Sequence, residues 1–286
     1  MLTVKAPAKI NLSLRILSRR PDGYHNLRSF MQKLDLCDVV QVTRTDRLGI
    51  SCLCRGRDIP GQGKNIALLA AEKFQQANNM AGGIAIGLEK NIPVASGLGG
   101  GSSDAASTLL ALNKLWELKL PVSELVHLAA KLGSDVPFFI YGGTALVEGK
   151  GEKVTPLPSL PLTWFVLLVP PLAKIQDKAK QLYSRLDASH FTKGQFVQAA
   201  LPSLRQGKTL APILMFNVFE KVAFDFLPNL AKYKKSFEEA GAASIYLVGS
   251  GPCLFTFVSE EGKANELCLR LRKQGLECYV ASSFPG

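Results

Sequence analysis

Four glycines and three serines are packed into Pro93-Val94-Ala95-Ser96-Gly97-Leu98-Gly99-Gly100-Gly101-Ser102-Ser103-Asp104-Ala105-Ala106. An apolar segment, Ile84 to Leu88, precedes the stretch, and a run with helical spacing (Ala105, Leu109, Leu112, Trp116) follows it. Glycines permit positive φ and remove the Cβ atoms that would hold a ligand away from the backbone. A helix starting just after them leaves amide N–H groups without internal partners, and its dipole favours an anion there. Backbone donors and hydroxyls at a helix start make a phosphate cradle. The plainer alternative is a linker or a turn with Ser102 or Ser103 as N-cap, but a linker would not run straight into an amphipathic helix. No lysine falls between Asn91 and Asn113, which excludes a Walker loop. The dinucleotide pattern fails too, because its last glycine would fall on Ser102 or Asp104. Any cation for the phosphates must come from elsewhere in the chain.

Other residues of chemical interest are scattered. Lys9 and Asn11 follow Pro7-Ala8 at the start of a strand, where a ligand can reach them. Tyr24-His25 closes a turn and reads either as half-buried packing or as a ligand contact. Asp135, in Gly133-Ser134-Asp135-Val136-Pro137-Phe138-Phe139, is a helix cap or a carboxylate fixed in place by the proline after it. Cys52-Leu53-Cys54 has the wrong spacing for zinc, and six cysteines in all are too few for a disulfide framework. Reduced, mostly buried thiols are expected. His127 and His190 receive no role.

The elements that must carry these residues follow from periodicity. Met1 to Pro7 reads as an edge strand, then Ala8 to Ile16 as a period-2 strand. That puts Ile10, Leu12, Leu14 and Ile16 on one face, with Lys9, Asn11, Ser13 and Arg15 opposite; Ser13 and Arg15 are expected to face water. Asp22-Gly23 supplies a turn. Strands are predicted over 30–36, 38–44, around 50–54 and over 84–88, and helices over 65–76, after the glycine loop, and over 123–132. A strand is expected over 142–147. The stretch 150–161, rich in Gly, Pro, Lys and Ser, is the expected boundary between two domains, 1–155 and 156–286. Beyond it, strands are predicted at 164–169, 244–248, 253–258 and 278–281, with helices around 177–186, 215–223, 230–240 and 263–273. This pattern is an α+β sandwich with helices on one face of an antiparallel sheet.

With 286 residues, 47% apolar and 20% charged, the chain is globular, without a disordered signature. No apolar run approaches the roughly 20 residues needed to span a bilayer, and Met1 to Pro7 is unlike a signal peptide. A cytoplasmic protein without membrane partners is expected. A net charge of +11 calls for an anionic ligand or serves solubility. No aromatic stacking motif accompanies its clusters (Arg19-Arg20, 232–235, 270–273), so small polyanions explain the charge as well as RNA does.

Three blocks in order, Pro7-Ala8-Lys9-Ile10-Asn11-Leu12, Pro93 to Ser103, and Gly249-Ser250-Gly251-Pro252-Cys253-Leu254-Phe255, resemble the GHMP small-molecule kinases. Gly23-Tyr24-His25-Asn26-Leu27 and Gly133 to Phe139 narrow the resemblance to a branch acting on a cytidine diphosphate-linked methylerythritol. The resemblance runs end to end. It implies a two-domain fold: an N-terminal ribosomal-protein-S5-domain-2-like domain and a C-terminal α/β-sandwich (ferredoxin-like) domain. It implies that Pro93, Val94, Ala95, Ser96, Gly97, Leu98, Gly99, Gly100, Gly101, Ser102 and Ser103 wrap the phosphates of ATP. It further implies Asp135 as catalytic carboxylate with Lys9 as its partner, Tyr24 stacking on cytosine, His25 hydrogen-bonding to it, and Asn11 beside the acceptor alcohol. Gly249, Ser250, Gly251 and Pro252 would support the site from the C-terminal domain. Mg²⁺ is expected with ATP, bridging phosphate oxygens; Ser102 and Ser103 are within its possible reach, and no protein ligand is singled out. The family often has a threonine after the double proline; Leu172-Ala173-Lys174-Ile175-Gln176 has none. Expected partners are a small-molecule substrate, no nucleic acid, and at most a second copy of the chain (monomer or weak homodimer). A kinase for a smaller alcohol, homoserine or mevalonate, and a basic RNA-binding module are the alternatives. Tyr24-His25 speaks against the former, because those alcohols carry no base to stack.

Overall fold

The computed structural model describes residues 1–56, 65–173 and 175–284, so Lys174 lies outside the described residues. The first strand, β1 (Leu2–Arg19), runs unbroken through Pro7. A turn at Asp22-Gly23 joins it to β2 (His25–Thr45), which lies antiparallel beside it. In that turn the Asp22 carboxylate accepts the Tyr24 N–H at 3.1 Å, and Gly23 takes φ +85°. The breaks expected at Pro7 and between 36 and 38 do not occur. Register shifts between Pro7 and Lys9, Asn11 and Ser13, and Ile16 and Ser18 absorb the irregularities as bulges.

The shift between Asn11 and Ser13 turns the strand over. Ile10, Leu12, Leu14 and Ile16 therefore do not share one face, contrary to the period-2 reading. Ile10 and Leu12 pack with Phe30, Phe165 and Phe255 between the two sheets, whereas Leu14 and Ile16 join the core of Leu109 and Phe138. Ser13 and Arg15 do not face water either: they are 2% and 5% exposed. The Arg15 guanidinium lies between the rings of Phe196 and Phe216, 4.1 and 4.3 Å from their centroids.

The first half continues with β3 (Ile50–Gly56), α1 (Ile66–Ala77), β4 (Gly83–Lys90), α2 (Gly100–Leu115), α3 (Val122–Ala130), α4 (Val136–Tyr141), β5 (Thr144–Gly149) and β6 (Lys153–Leu157). Asn65 caps α1, its Oδ1 accepting the Ala67 N–H at 2.9 Å. The sheet order is β3-β4-β2-β1, with β5 on the early part of β2 and β6 outside it. β6 falls inside the expected boundary stretch. α2 packs on β1 and β2, where Leu109 and Leu112 are fully buried. This helix begins at Gly100 with Gly99 as its N-cap, inside the glycine run and not at Ser102 or Ser103.

In the second half, β7 (Trp164–Val169), α5 (Lys178–Ser184) and α6 (Gln195–Arg205) precede β8 (Phe216–Asn217), α7 (Glu220–Phe226) and α8 (Leu230–Glu239). Then come β9 (Tyr246–Leu247), β10 (Leu254–Val258), α9 (Glu261–Lys273) and β11 (Glu277–Ser282). Strands in the order β11-β7-β10-β9 make an antiparallel sheet, and α9 packs against β7, β10 and β11. The α+β architecture read from the sequence is therefore present as two sheets with packed helices. The helix expected over 215–223 is instead β8 followed by α7. β8 pairs in parallel with β1 at Ser13 and Leu14, so the second half lends a strand to the first sheet. Asp35 ties the two halves further, accepting the N–H and hydroxyl of Ser282 at 2.7 Å each. The cysteines are free; Cys253, Cys268 and Cys278 are buried, and Cys37, Cys52 and Cys54 are half-buried.

Candidate active site

The loop between β4 and α2 has positive φ at alternate residues: Ala95 (+60°), Gly97 (+96°) and Gly99 (+77°). Alternation of this kind turns successive N–H groups into one concavity, a backbone nest that binds anions. The N–H groups of Gly97 and Gly99 have no acceptor among the described residues. The loop's carbonyls are tied down on the outside. Leu98 O accepts the Lys9 N–H at 2.9 Å, Ser96 O accepts the Cys253 N–H at 3.1 Å, and Ala95 O accepts from the Lys178 ammonium at 2.8 Å. Leu98 is fully buried and anchors the loop in the core between the sheets. A side chain at Gly97 would put its Cβ 2.3 Å from Val248 O, so the backbone approach itself requires glycine there.

Two cavities meet at this loop and share Gly97, Gly99 and Ser102. One, of about 370 Å³, is lined by Cys54, Asn65, Ile66, Lys90 and residues 92–97 and 99–102. The other, of about 740 Å³, holds Lys9, Asn11, Tyr24, His25, Asp135, Gly249 and Ser250. The loop is thus a wall with a cavity on each side.

In the larger cavity, β1 and the start of α4 bring Lys9 and Asp135 together, with Nζ 3.6 Å from Oδ2. The Asp135 side chain sits at the N-cap position of α4 but makes no capping bond, which sets aside its reading as a helix cap. Lys9 also donates to Asn11 Oδ1 at 2.7 Å, and Asn11 Nδ2 donates to Ser29 Oγ at 2.8 Å. This chain fixes both the lysine and the amide orientation. Gly249 closes over the pair, for a Cβ there would lie 3.2 Å from Lys9 Nζ.

Aromatic rings line the far end. Tyr24 is 53% exposed, with the Lys150 ammonium 4.8 Å from its ring centroid. His25 is buried and stacks on Tyr183, the rings 5.2 Å apart and tilted by 22°. Tyr183 meets Phe219 edge-on at 4.8 Å. The His25 Nε2 is buried without a hydrogen-bond partner, an orphaned polar atom at the edge of a cavity. Burial, and to a lesser degree the charge of Arg19, push the His25 pKa below its usual value, so the ring is neutral near pH 7.

Under the smaller cavity lies a buried ion cluster in which Lys90 binds both Asp38 and Asp104. Asp38 Oδ1 also accepts the N–H groups of Asn91 and Ile92 at 2.6 and 2.8 Å, fixing the chain that enters the loop. Burial first, then the Asp38 charge, raises the Asp104 pKa against the pull of Lys90.

Several residues around the cavities escape the sequence reading. Lys150, Lys180, Tyr183 and Phe219 line the larger cavity. Asn217, 1% exposed, donates to Leu247 O and Gly249 O at 2.8 and 2.7 Å and so shapes the 249–252 turn. A polar residue inside the apolar run 214–219 was its one visible signal. Ser103 has its hydroxyl sealed beneath α2 without a partner, whereas Ser102 opens onto both cavities. Among the described residues no cluster of three or more His, Cys, Asp or Glu could hold a metal ion, and no helix is long and apolar enough to cross a membrane.

The models for the GHMP kinases N terminal domain and the GHMP kinases C terminal match residues 65–143 and 198–276. The chain is 46% identical over 285 residues to the 4-diphosphocytidyl-2-C-methyl-D-erythritol kinase of Dehalococcoides mccartyi (strain CBDB1), covering 99% of this chain and 98% of that one. It is 40% identical over 271 residues to the enzyme of that name from Geobacillus sp. (strain WCH70), covering 95% and 93%. A crystal structure of 4-(cytidine 5'-diphospho)-2C-methyl-D-erythritol kinase superposes with a TM-score of 0.83 at 32% identity, over 100% of both chains.

Proposed function

This chain belongs to the 4-diphosphocytidyl-2-C-methyl-D-erythritol kinases of the GHMP family, and we propose that it transfers the γ-phosphoryl group of ATP to the 2-hydroxyl of that cytidylyl alcohol. The reaction belongs to the methylerythritol phosphate pathway to isoprenoid precursors. The observation that carries this reading is the shared wall: one nest-shaped loop with the Lys9–Asp135 pair on one side and a second cavity on the other.

ATP occupies the smaller cavity, with its phosphates against residues 93–103 and its terminal group reaching past Gly97 and Gly99. The cytidylyl alcohol fills the larger cavity. Its base lies by Tyr24 and His25, where stacking contributes about 1–3 kcal/mol. The unpartnered Nε2 of His25 gives the base a hydrogen-bonding atom. Lys150 and Lys180 face this cavity and suit the substrate's diphosphate. The acceptor hydroxyl comes to Asp135 and Asn11.

Phosphoryl transfer has a loose transition state, so positioning and charge neutralisation matter more than a strong base. The bond from the acceptor oxygen to the γ-phosphorus forms, the bond from that phosphorus to the β,γ-bridging oxygen breaks, and ADP leaves. The hydroxyl proton passes to the Asp135 carboxylate. Lys9 orients that carboxylate and stabilises charge on the moving group. Mg²⁺ brought with ATP would neutralise charge on the phosphates, and Ser102, open to both cavities, is the protein hydroxyl that would hold it. On the same reading, 1–155 and 156–286 act as two domains of a cytoplasmic monomer or weak homodimer.

A coupled assay of ADP release, with the cytidylyl alcohol, homoserine and mevalonate offered in turn, tests the proposal. Turnover with the first alone is expected. Turnover with a small alcohol instead would move the chain to another GHMP activity, and salt-sensitive RNA binding without ATP turnover would remove it from the kinases.

A further inference from the structure

A glycine loop without a Walker lysine leaves open what holds it in shape, and the missing threonine after Pro170-Pro171 leaves open what this segment brings to it. Lys178, the first residue of α5, answers both. Its ammonium donates to Ala95 O in the glycine loop at 2.8 Å and to Gly251 O in the 249–252 turn. The side chain is half-buried, and no carboxylate pairs with it among the described residues. Two backbone carbonyls from opposite halves of the chain are its partners.

The three outward tethers of the loop are unequal. Those from Lys9 and Cys253 are backbone N–H groups, present with any side chain. The tether on Ala95 is a side chain, and Ala95 is the loop residue held at positive φ without being glycine. A left-handed conformation costs an L-residue roughly 1–2 kcal/mol, so the Ala95 peptide needs an external hold. It is also the first member of the alternation that makes the nest. Release of its carbonyl lets the peptide relax and opens the concavity at the end where the chain enters.

We infer that Lys178 is a positioning residue for the nucleotide: it locks the Ala95 peptide against the 249–252 turn and so holds the glycine loop in its phosphate-binding shape. This inference rests on the kinase reading above. It adds to it a residue that acts through the loop and touches neither acceptor nor base. Burial lowers the Lys178 pKa to about 8, with the charge of Lys9 acting in the same direction; at neutral pH the ammonium form still dominates. The ammonium can therefore serve both carbonyls at once.

The test compares wild type, Lys178→Met, Lys178→Gln and Lys178→Arg in steady-state kinetics against each substrate, alongside thermal melting. Methionine keeps the length and removes the donors, glutamine keeps donors without charge, and arginine keeps both. Loss of a charged hydrogen bond predicts that Lys178→Met raises the KM for ATP about ten-fold or more. The KM for the cytidylyl alcohol should stay within about two-fold and melting should be preserved. Lys178→Arg should recover most of the ATP affinity, and Lys178→Gln should fall between. An unchanged ATP KM in Lys178→Met overturns the inference, as does an equal rise in both KM values with a lowered melting temperature. If Lys178→Met does not fold, Lys178→Gln is read by the same criteria. Absence of turnover in wild type would instead sink the kinase reading, so the two failures are distinct.

Discussion

The Lys9 ammonium stands 3.6 Å from the Asp135 carboxylate with unequal exposure, the lysine side chain 4% exposed and the aspartate 37%. The lysine is held by Asn11 from below, while the carboxylate keeps an open side toward the cavity. The pair is built so that one member is fixed and the other meets the ligand.

Replacing Asp135 with Asn keeps the shape and removes the proton acceptor. Turnover number should fall about 100- to 10,000-fold. ATP affinity measured by calorimetry should stay near that of wild type, since the aspartate lies on the far side of the glycine wall. Unaltered turnover would take Asp135 out of the reaction.

Tyr24→Ala should act on the cytidylyl alcohol alone. Loss of a stacking face worth about 1–3 kcal/mol corresponds to a KM increase of roughly 5- to 150-fold. A rise in the KM for ATP instead would mean that the two nucleotides have been assigned to the wrong cavities.

His25 gives a pH signature. Its folded pKa lies below the unfolded value of about 6.5, so below that pH the unfolded chain binds the proton more readily. Stability should therefore be undiminished above about pH 6.5 and fall as pH drops toward the folded pKa. Urea denaturation of wild type and His25→Gln at several pH values should show the two curves converging in acid. Parallel curves would leave His25 without this role.

Gly97→Ala and Gly101→Ala separate backbone strain from ligand space. At Gly97 the new Cβ would lie 2.3 Å from Val248 O at φ +96°, so both melting temperature and ATP affinity should drop. At Gly101 the nearest atom lies 3.6 Å away and the residue is helical. Alanine there should hold or raise stability, by up to about 1 kcal/mol. Its methyl group enters the smaller cavity, so the KM for ATP should still rise. An ATP KM like that of wild type in Gly101→Ala would argue against phosphates on this wall.

Lys90→Met removes the ammonium that pairs with both Asp38 and Asp104 and leaves two buried carboxylates facing each other. A loss of about 3–5 kcal/mol in unfolding free energy is expected at neutral pH. Acid should restore part of it, because burial already raises the Asp104 pKa and protonation removes its charge. A small effect measured in urea would show the cluster to be hydrated.

What could be read from the sequence depended on how local each signal was. The glycine loop, Tyr24-His25, and Asp135 ahead of a proline carry their meaning in residue type and neighbours, and the structure brings them round one wall. Asn65 as a helix start and the 164–169 strand were legible for the same reason. The bulge between Asn11 and Ser13 was not, because a strict alternation of apolar residues looks the same with or without an inserted kink. β8 is too short to show a period at all. Tyr183 and Lys178 gain their importance from residues far away in the chain, so their positions on a short helix gave no warning. Arg15 was read as solvated because an isolated guanidinium carries no sign of the two rings that enclose it.

The parallel pairing of β8 with β1 has a consequence for the gene as well as the protein. A fragment ending near residue 155 would expose the bare rim of β1 at Ser13 and Leu14, close to Lys9 and Asn11, and an unpaired rim of that kind recruits other strands. The two halves therefore cannot be shuffled between relatives like cassettes. Whatever swaps one must bring along the short strand that closes the other.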